Sequence, residues 1–393
     1  MISRKHRTPI LTTFAALAPA VALAIALVLA PWLPRQAGAI EISARQAILM
    51  DYATGEVLFE KNADEAMTPS SMSKIMTVYK LFERLKDGRL QLSDSFVVSE
   101  KAWRKKGSKM FVAVNSRVKV EDLIRGIVVQ SGNDASIVVA EGLAGSEEAF
   151  AAELNETARE LDMSNSNFVN ASGWPDPEHL TTARDLARLA IATIRNFPDY
   201  YDYYAEKTYS YNGIKQGNRN PLIYRDVGAD GLKTGHTEDG GYGLTASALR
   251  GGRRLIAVLN GMPTKKARAS DSERLLDWGF REFNNYTLFQ KDAKVSTVPV
   301  WMGAEGSVSL VLPDELTLTL PVKARRKMVV KVAMDSPVPA PVKKGAKLAI
   351  LKIEMPGRAP LQFPLLAGED VERLGAISRL GAALRFVLWG EAG

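Results

Sequence analysis

The sequence predicts a mixed α/β domain whose antiparallel sheet is flanked by helices, followed by a small all-β domain and a C-terminal helix. Three observations predict it. Hairpin patterns lie at both ends of residues 40–285, and helical periodicity fills the span between them. After Asn284-Asn285-Tyr286, short alternating strands take over until a helical pattern returns at 369–389. The length of 393 residues suits two domains. A 46% hydrophobic and 24% charged composition excludes a disordered chain.

Residues 1–39 read as a signal peptide. Arg4, Lys5 and Arg7 precede an uncharged stretch from Ile10 to Pro34, and Ala37-Gly38-Ala39 is a small-x-small triplet, so cleavage is expected after Ala39. The alternative is an uncleaved anchor, since the stretch is long enough to span a bilayer. Pro9, Pro19, Pro31 and Pro34 bracket or interrupt it. Either way, the remainder is expected outside the cytoplasm.

In the first domain, Ala47-Ile48-Leu49-Met50 and Val57-Leu58-Phe59 are apolar runs joined by Asp51-Tyr52-Ala53-Thr54-Gly55, a hairpin. From Ser71 to about Leu85, Met72, Ile75, Met76, Tyr79 and Phe82 recur at helical spacing. Further helices are expected at Val120–Val129, Ala135–Ala144, Glu147–Leu161 and Thr182–Arg195, the last capped by Thr181 or Thr182. Tyr242–Leu249 and Arg254–Gly261 flank Arg250-Gly251-Gly252-Arg253 as a second hairpin, and Ser270–Phe283 is again helical. In the second domain, residues 286–366, strands are expected at Val295–Met302, Ser307–Val311, Leu316–Pro321, Lys327–Met334 and Leu348–Glu354. Residues 369–389 carry Val371, Leu374, Ile377, Leu380, Leu384 and Leu388 at helical spacing, with Phe386 and Trp389 near the end. That pattern suits an amphipathic helix on the outer face of the cytoplasmic membrane, or one docked on the β-module.

Composition narrows the chemistry. There is no cysteine, which excludes disulfides, thiolate metal sites and a cysteine nucleophile. Setting aside Arg4, Lys5, Arg7 and Arg35 leaves 47 bases against 44 acids, a balance of +3 that does not indicate a nucleic-acid binder. The cluster Lys101, Arg104, Lys105, Lys106 and Lys109 reads as a solvated loop. The three histidines, His6, His179 and His236, form neither a Ser-His-Asp triad nor a zinc site by their placement.

Three short motifs remain. In Ser71-Met72-Ser73-Lys74, a helix starting at Ser71 puts Lys74 one turn on and on the same face. A serine hydroxyl needs an adjacent base, and a lysine kept partly neutral by burial can serve. Ser116-Arg117-Val118-Lys119 has the same spacing but does not open a helix. Ser131-Gly132-Asn133 alone reads as a turn, as does Ser210-Tyr211-Asn212. Lys233-Thr234-Gly235 precedes a strand hairpin, where a strand edge and a lysine can hold a peptide carboxylate and the glycine lets a substrate approach the backbone.

S-x-x-K, S-D-N and K-T-G, in that order, are the motifs of penicillin-binding proteins and class A β-lactamases. This chain departs once, with Gly132 in the place of the aspartate. Together with Thr68-Pro69-Ser70, Gln130, Asp134-Ala135, Asp230-Gly231-Leu232 and His236-Thr237, the sequence resembles the low-molecular-mass penicillin-binding proteins that act as D-alanyl-D-alanine carboxypeptidases. The resemblance runs from about Ala44 to the C-terminus. It implies a catalytic domain of the serine β-lactamase and transpeptidase-like type, and cleavage of the terminal D-alanine from peptidoglycan stem pentapeptides ending in D-Ala-D-Ala. β-Lactams are the expected inhibitors, and no cofactor or metal is expected. It implies that Ser71 attacks and is acylated, Lys74 takes its proton, and Ser131 relays a proton to the leaving nitrogen. Asn133 would bond the substrate amide, Lys233 would add positive potential and help keep Lys74 neutral, and Thr234 with Arg268 would bind the terminal carboxylate. Gly235 and His236 complete the strand, the backbone N–H groups of Ser71 and His236 being the implied oxyanion hole. A serine β-lactamase, with Asp176 or Glu178 as the deacylating carboxylate, an endopeptidase, and an inactive cell-wall-binding scaffold are the competing readings.

Overall fold

The computed structural model describes residues 40–378, 380 and 381, so the expected signal peptide at 1–39 lies outside the described residues. The first hairpin is β1 (Gln46–Asp51) and β2 (Val57–Lys61). Its turn is fixed by the buried Asp51 carboxylate, whose Oδ1 accepts from the N–H groups of Ala53 (3.0 Å) and Thr54 (3.2 Å). A 3₁₀ turn, Ser70–Ser73, then leads into helix α1 (Lys74–Lys86). A ribbon of β3 (Ser95–Val97) and β4 (Arg117–Lys119) encloses α2 (Glu100–Arg104). Helices α3 (Val120–Val128), α4 (Asn133–Ala144), α5 (Glu147–Glu160) and α6 (Ala183–Asn196) follow. A second ribbon, β5 (Thr208–Tyr211) and β6 (Ile214–Gly217), precedes β7 (Ala229–Thr237), β8 (Gly241–Arg250), β9 (Arg253–Met262) and helix α7 (Lys265–Glu282).

The N-terminal hairpin closes onto the late strands in an antiparallel sheet of order β2-β1-β9-β8-β7. All six residues of β1 are buried, because helices cover both faces of the strand. Ile48, Ile256 and Val258 join the core built around Met76, Phe82, Ile127 and Val138. Leu49 and Leu255 point the other way, where a Cβ at Gly279 of α7 would meet them at 2.5 and 2.9 Å. Helix α1 runs through the helical core, with every residue from Lys74 to Phe82 buried.

Three boundaries differ from the sequence reading at places that bear on the site. The helix expected from Ser71 is α-helical only from Lys74, and Ser71 sits in the 3₁₀ turn without capping the helix. The helix expected from Ser270 starts at Lys265, because the Thr264 hydroxyl accepts from Ala267 N (3.0 Å) and sets the first turn there, which brings Arg268 onto α7. Helix α4 starts at Asn133, two residues early. Thr182 is the cap of α6, accepting from Asp185 N at 3.1 Å.

The second module contains β10 (Phe283–Phe289), β11 (Lys294–Trp301), β12 (Ser307–Val311), β13 (Leu316–Pro321), β14 (Val329–Met334), β15 (Val338–Pro339), β16 (Lys347–Glu354) and β17 (Leu361–Ala367). Strand β10 pairs with β13, and the others form a sheet of order β14-β16-β17-β12-β11-β15 around Val298, Val300, Leu310, Leu351, Ile353 and Leu365. Sequence reading missed β10, which continues directly from α7, and β17, whose interior Pro364 argues against a strand. Asp51, which also accepts from Arg253 Nε of β9 (2.8 Å), ties the modules together by accepting from Asn285 Nδ2 of β10 (3.1 Å). Thr54 meets Thr319 at 2.5 Å, and Arg358 pairs with Glu56 at 2.9 Å.

The helix expected over 369–389 begins, among the described residues, at Ala376. The segment before it is docked on the β-module. Val371 bridges to Val342 and is buried in the core, Arg373 bridges to Gly303, and Arg373 Nε donates to Ala340 O at 2.7 Å. Ile377 and Leu380 are exposed. Leu384, Phe386, Leu388 and Trp389 lie outside the described residues.

Candidate active site

The 3₁₀ turn carrying Ser71 is pressed against edge strand β7. A Cβ at Gly235 would sit 2.7 Å from Pro69 O and 3.1 Å from Ser70 Cβ, so this glycine lets the strand approach the turn. The same glycine lines the cleft, where it is expected to let a substrate approach the backbone. Ser70 is held at φ +51°, a region costly for a residue with a side chain. Its hydroxyl donates to Thr237 Oγ1 at 3.2 Å, on the far side of His236.

Lys74 follows on α1 and is fully buried. Its Nζ contacts Ser71 Oγ (2.8 Å), Asn133 Oδ1 (2.8 Å) and Ser172 O (2.5 Å). Ser172 O and the Asn133 carbonyl can only accept, so they engage two N–H bonds of the amine. A neutral amine then has its lone pair left for the Ser71 hydroxyl. Burial, assisted by the nearby Arg219 and Lys105 cations and opposed by Asp134, lowers Lys74 to about 7.

Ser131 lies between α3 and α4 at φ +59°, where Gly132 N donates to Gly126 O at 2.9 Å and fixes the reversal. Its hydroxyl accepts from Lys233 Nζ at 2.9 Å. Lys233 is buried on β7, and its pKa falls well below the ordinary lysine value through burial, then through Lys74, Arg219 and Arg268. Asn133 Nδ2 donates to Lys106 O (2.9 Å), which leaves one of its hydrogens for a ligand. At Gly132 a Cβ would lie 2.9 Å from Asp134 Oδ1. The Asp134 carboxylate binds the N–H groups of Met110 (2.8 Å), Phe111 (2.9 Å) and Val112 (3.3 Å), and thereby holds the loop that walls the site.

Two cavities meet at Ser71, Ser108 and His236. One, of about 540 Å³, runs past Thr234 and Tyr242 to Arg219, Lys265 and Arg268. Arg268 is buried, its guanidinium lies 5.6 Å from the Tyr242 ring centre, and its Nε has no hydrogen-bond partner among the described residues. Burial lowers it to about 10, with Tyr242 opposing and Arg219 adding to the shift. The other cavity, of about 560 Å³, passes Gly107, Asn133, Ser172 and Trp174 toward Glu238 and Asp239. Lys105 Nζ, from the basic cluster expected to be a solvated loop, stands 4.5 Å over the ring of Trp174, which lines this arm. Strand β7 pairs with β8 alone among the described strands, leaving its outer edge open along the cleft.

The structure thus gathers Ser71, Lys74, Ser131, Asn133, Lys233, Thr234, Gly235, His236 and Arg268 around one cleft. Sequence reading missed Arg219, Ser108, Ser172 and Trp174, which lie in loops without a local pattern. A Ser–His contact does exist, between Ser73 and His179 at 2.8 Å, but both residues are buried beneath the turn.

The arrangement can support acylation of a serine with a neighbouring lysine as base, which is the chemistry of lysine-assisted serine hydrolases. A family model described as D-alanyl-D-alanine carboxypeptidase matches residues 34–264, and one described as the C-terminal domain of penicillin-binding protein 5 matches residues 283–373. The D-alanyl-D-alanine carboxypeptidase DacC of Escherichia coli (strain K12) is 38% identical over 347 residues, covering 86% of this chain and 87% of that one. Penicillin-binding protein 5 from Haemophilus influenzae has a solved structure with TM-score 0.76 and 34% identity, covering 85% of this chain and 99% of that one. Penicillin-binding protein D2 from Listeria monocytogenes, in its cefotaxime-bound form, matches with TM-score 0.57 and 30% identity over 61% of this chain and 98% of that one. The chain belongs to the D-alanyl-D-alanine carboxypeptidase family, and it is a penicillin-binding serine peptidase.

Proposed function

We propose that the protein removes the terminal D-alanine from peptidoglycan stem pentapeptides, with Ser71 as nucleophile and Lys74 as its base. The contact between Lys74 Nζ and Ser71 Oγ at 2.8 Å, on an amine lowered to about 7, carries this reading. Ser71 Oγ bonds to the carbonyl carbon of the penultimate D-alanine as its proton passes to Lys74. The backbone N–H groups of Ser71 and His236 take the oxyanion. The proton then travels by way of Ser131 to the leaving nitrogen as the C–N bond breaks, and Lys233 holds the Ser131 hydroxyl for that transfer. Water hydrolyses the ester by the same proton path in reverse. Arg268 and Thr234, with Arg219 behind them, hold the departing carboxylate, while Asn133 steadies the substrate amide. β-Lactams acylate Ser71 in the place of the peptide.

Export by residues 1–39 and attachment of residues 376 onward to the outer face of the cytoplasmic membrane belong to the same proposal. The exposed Ile377 and Leu380 support the attachment.

The test pairs two measurements. Incubation with a pentapeptide ending in D-Ala-D-Ala should release one alanine by mass, and a fluorescent penicillin should label the chain covalently. Ser71→Ala should abolish both while the melting curve stays cooperative. Labelling that persists in the folded variant would refute the assignment.

A further inference from the structure

Beneath the cleft, a buried histidine joins the two segments that Ser71 and Lys74 depend on. We infer that His179 is a positioning residue, which locks the Ser71 turn to the loop that supplies an acceptor to Lys74. This rests on the reading of Ser71 and Lys74 given above.

The hydrogen bonds define the ring's state. Val169 N donates to His179 Nδ1 at 3.1 Å, so Nδ1 carries no proton. Nε2 must then bear the hydrogen and donate to Ser73 Oγ at 2.8 Å. The Ser73 hydroxyl passes its own hydrogen to Ser70 O at 2.8 Å. A single chain of bonds therefore runs from the loop at Val169, through the neutral imidazole, to the strained residue immediately before the nucleophile.

Both ends matter to the chemistry. The 169–173 loop carries Ser172, whose carbonyl fixes one N–H of Lys74 at 2.5 Å, and Ala171, whose carbonyl accepts from Thr77 Oγ1 of α1 at 2.7 Å. Ser70 sets the backbone direction entering Ser71. The ring is 1% exposed and meets Phe168 edge-on, with centroids 5.6 Å apart. Asp176 and Lys74 are the charged groups that act on it, and burial holds it neutral, lowering it to about 4. His179 touches no cleft surface, so it takes no part in proton transfer. Its contribution is geometric, and misplacing a nucleophile by a fraction of an ångström slows attack steeply.

The test measures the second-order rate of penicillin labelling on the full chain from about pH 5 to 9, with a melting curve for each form. His179→Gln keeps an amide donor for Ser73 and a carbonyl acceptor for Val169, and should label within about threefold of the unaltered chain. His179→Phe keeps the ring packing but removes both bonds. It should label roughly ten- to a hundredfold more slowly, reach the same final stoichiometry, and show its acid limb at higher pH, because a loosened loop lets water reach Lys74 and favours its ammonium. If His179→Phe does not fold, Ser73→Ala cuts the same link from the other end and should show the same slowing and the same displaced limb. Wild-type rate and limb in a folded His179→Phe or Ser73→Ala, or a His179→Gln as slow as His179→Phe, would overturn the inference. Failure of every form to label, the unaltered chain included, would overturn both this inference and the reading of Ser71.

Discussion

Lys74 Nζ lies 2.8 Å from Ser71 Oγ, three residues away, and 2.5 Å from the carbonyl oxygen of Ser172, 98 residues further along the chain. The first contact comes from one turn of chain, whereas the second needs the whole helical core to bring the loop to α1. With Asn133 Oδ1 taking the second N–H, these contacts leave the lone pair of a neutral Lys74 for the hydroxyl.

The rate of acylation should rise through about pH 7 as Lys74 loses its proton. Stability should rise above that range. The folded pKa lies below the unfolded value of 10.5, so between about 7 and 10.5 the unfolded chain binds more protons, and raising the pH favours the folded state. Lys74→Met removes that linkage. The stability of the unaltered chain relative to Lys74→Met should therefore improve by roughly 1 kcal/mol per pH unit over that window. Parallel stability–pH curves in denaturant melts would show that Lys74 is not held neutral.

Arg268→Ala should cut turnover of the free-acid peptide by about a hundredfold and leave the C-terminal amide, a poorer substrate, nearly unaffected, since charge-assisted bonds are the stronger ones. Arg268 lines the cleft together with Arg219 and Lys265, and its buried Nε has no hydrogen-bond partner among the described residues. Arg219→Ala should weaken the same substrate in the same sense. Equal losses on acid and amide, measured as kcat/KM, would remove Arg268 from carboxylate recognition.

Gly173→Ala should destabilise the protein by on the order of 3 kcal/mol and slow penicillin labelling. Gly173 has φ +69°, and a Cβ there would lie 1.8 Å from Ser70 O, against backbone that cannot yield without moving the nucleophile turn. Thermal melts and labelling rates check this, and an unchanged labelling rate would mean that the turn tolerates the displacement.

A chain ending at Gly375 should fold, label with penicillin and leave the membrane fraction, whereas one ending at Leu366 should be destabilised. The shorter chain loses Ala367 from β17 and Val371 from the module core, both buried. Fractionation and melting of the two forms, with N-terminal sequencing to establish signal cleavage, separate anchoring from folding. Membrane pelleting by the Gly375 form as complete as that of the intact chain would exclude an anchor beyond that residue.

Much of the molecule is legible in its sequence. The hairpin at Gln46–Asn62, the glycine hairpin at Arg250–Arg253 and the helices at Val120, Glu147 and Thr182 follow from periodicity and turn chemistry, which act over a few residues. The spacing of Ser71 and Lys74 is equally local. Tertiary structure decided the rest, because it depends on groups far apart in sequence. Packing against Gly173 and β7 holds the nucleophile in a 3₁₀ turn where periodicity continued the helix. The Thr264 cap, invisible to hydrophobic pattern, placed Arg268 on α7. Val371 reads as one more apolar residue at helical spacing, yet it fills the β-module, since periodicity marks which residues seek burial and cannot name the surface that buries them. Likewise, the sequence by itself determined that Lys74 could be a base, while burial among Ser172, Asn133 and the surrounding cations decided its proton affinity. A pKa belongs to an environment, and that environment exists only when the chain is folded.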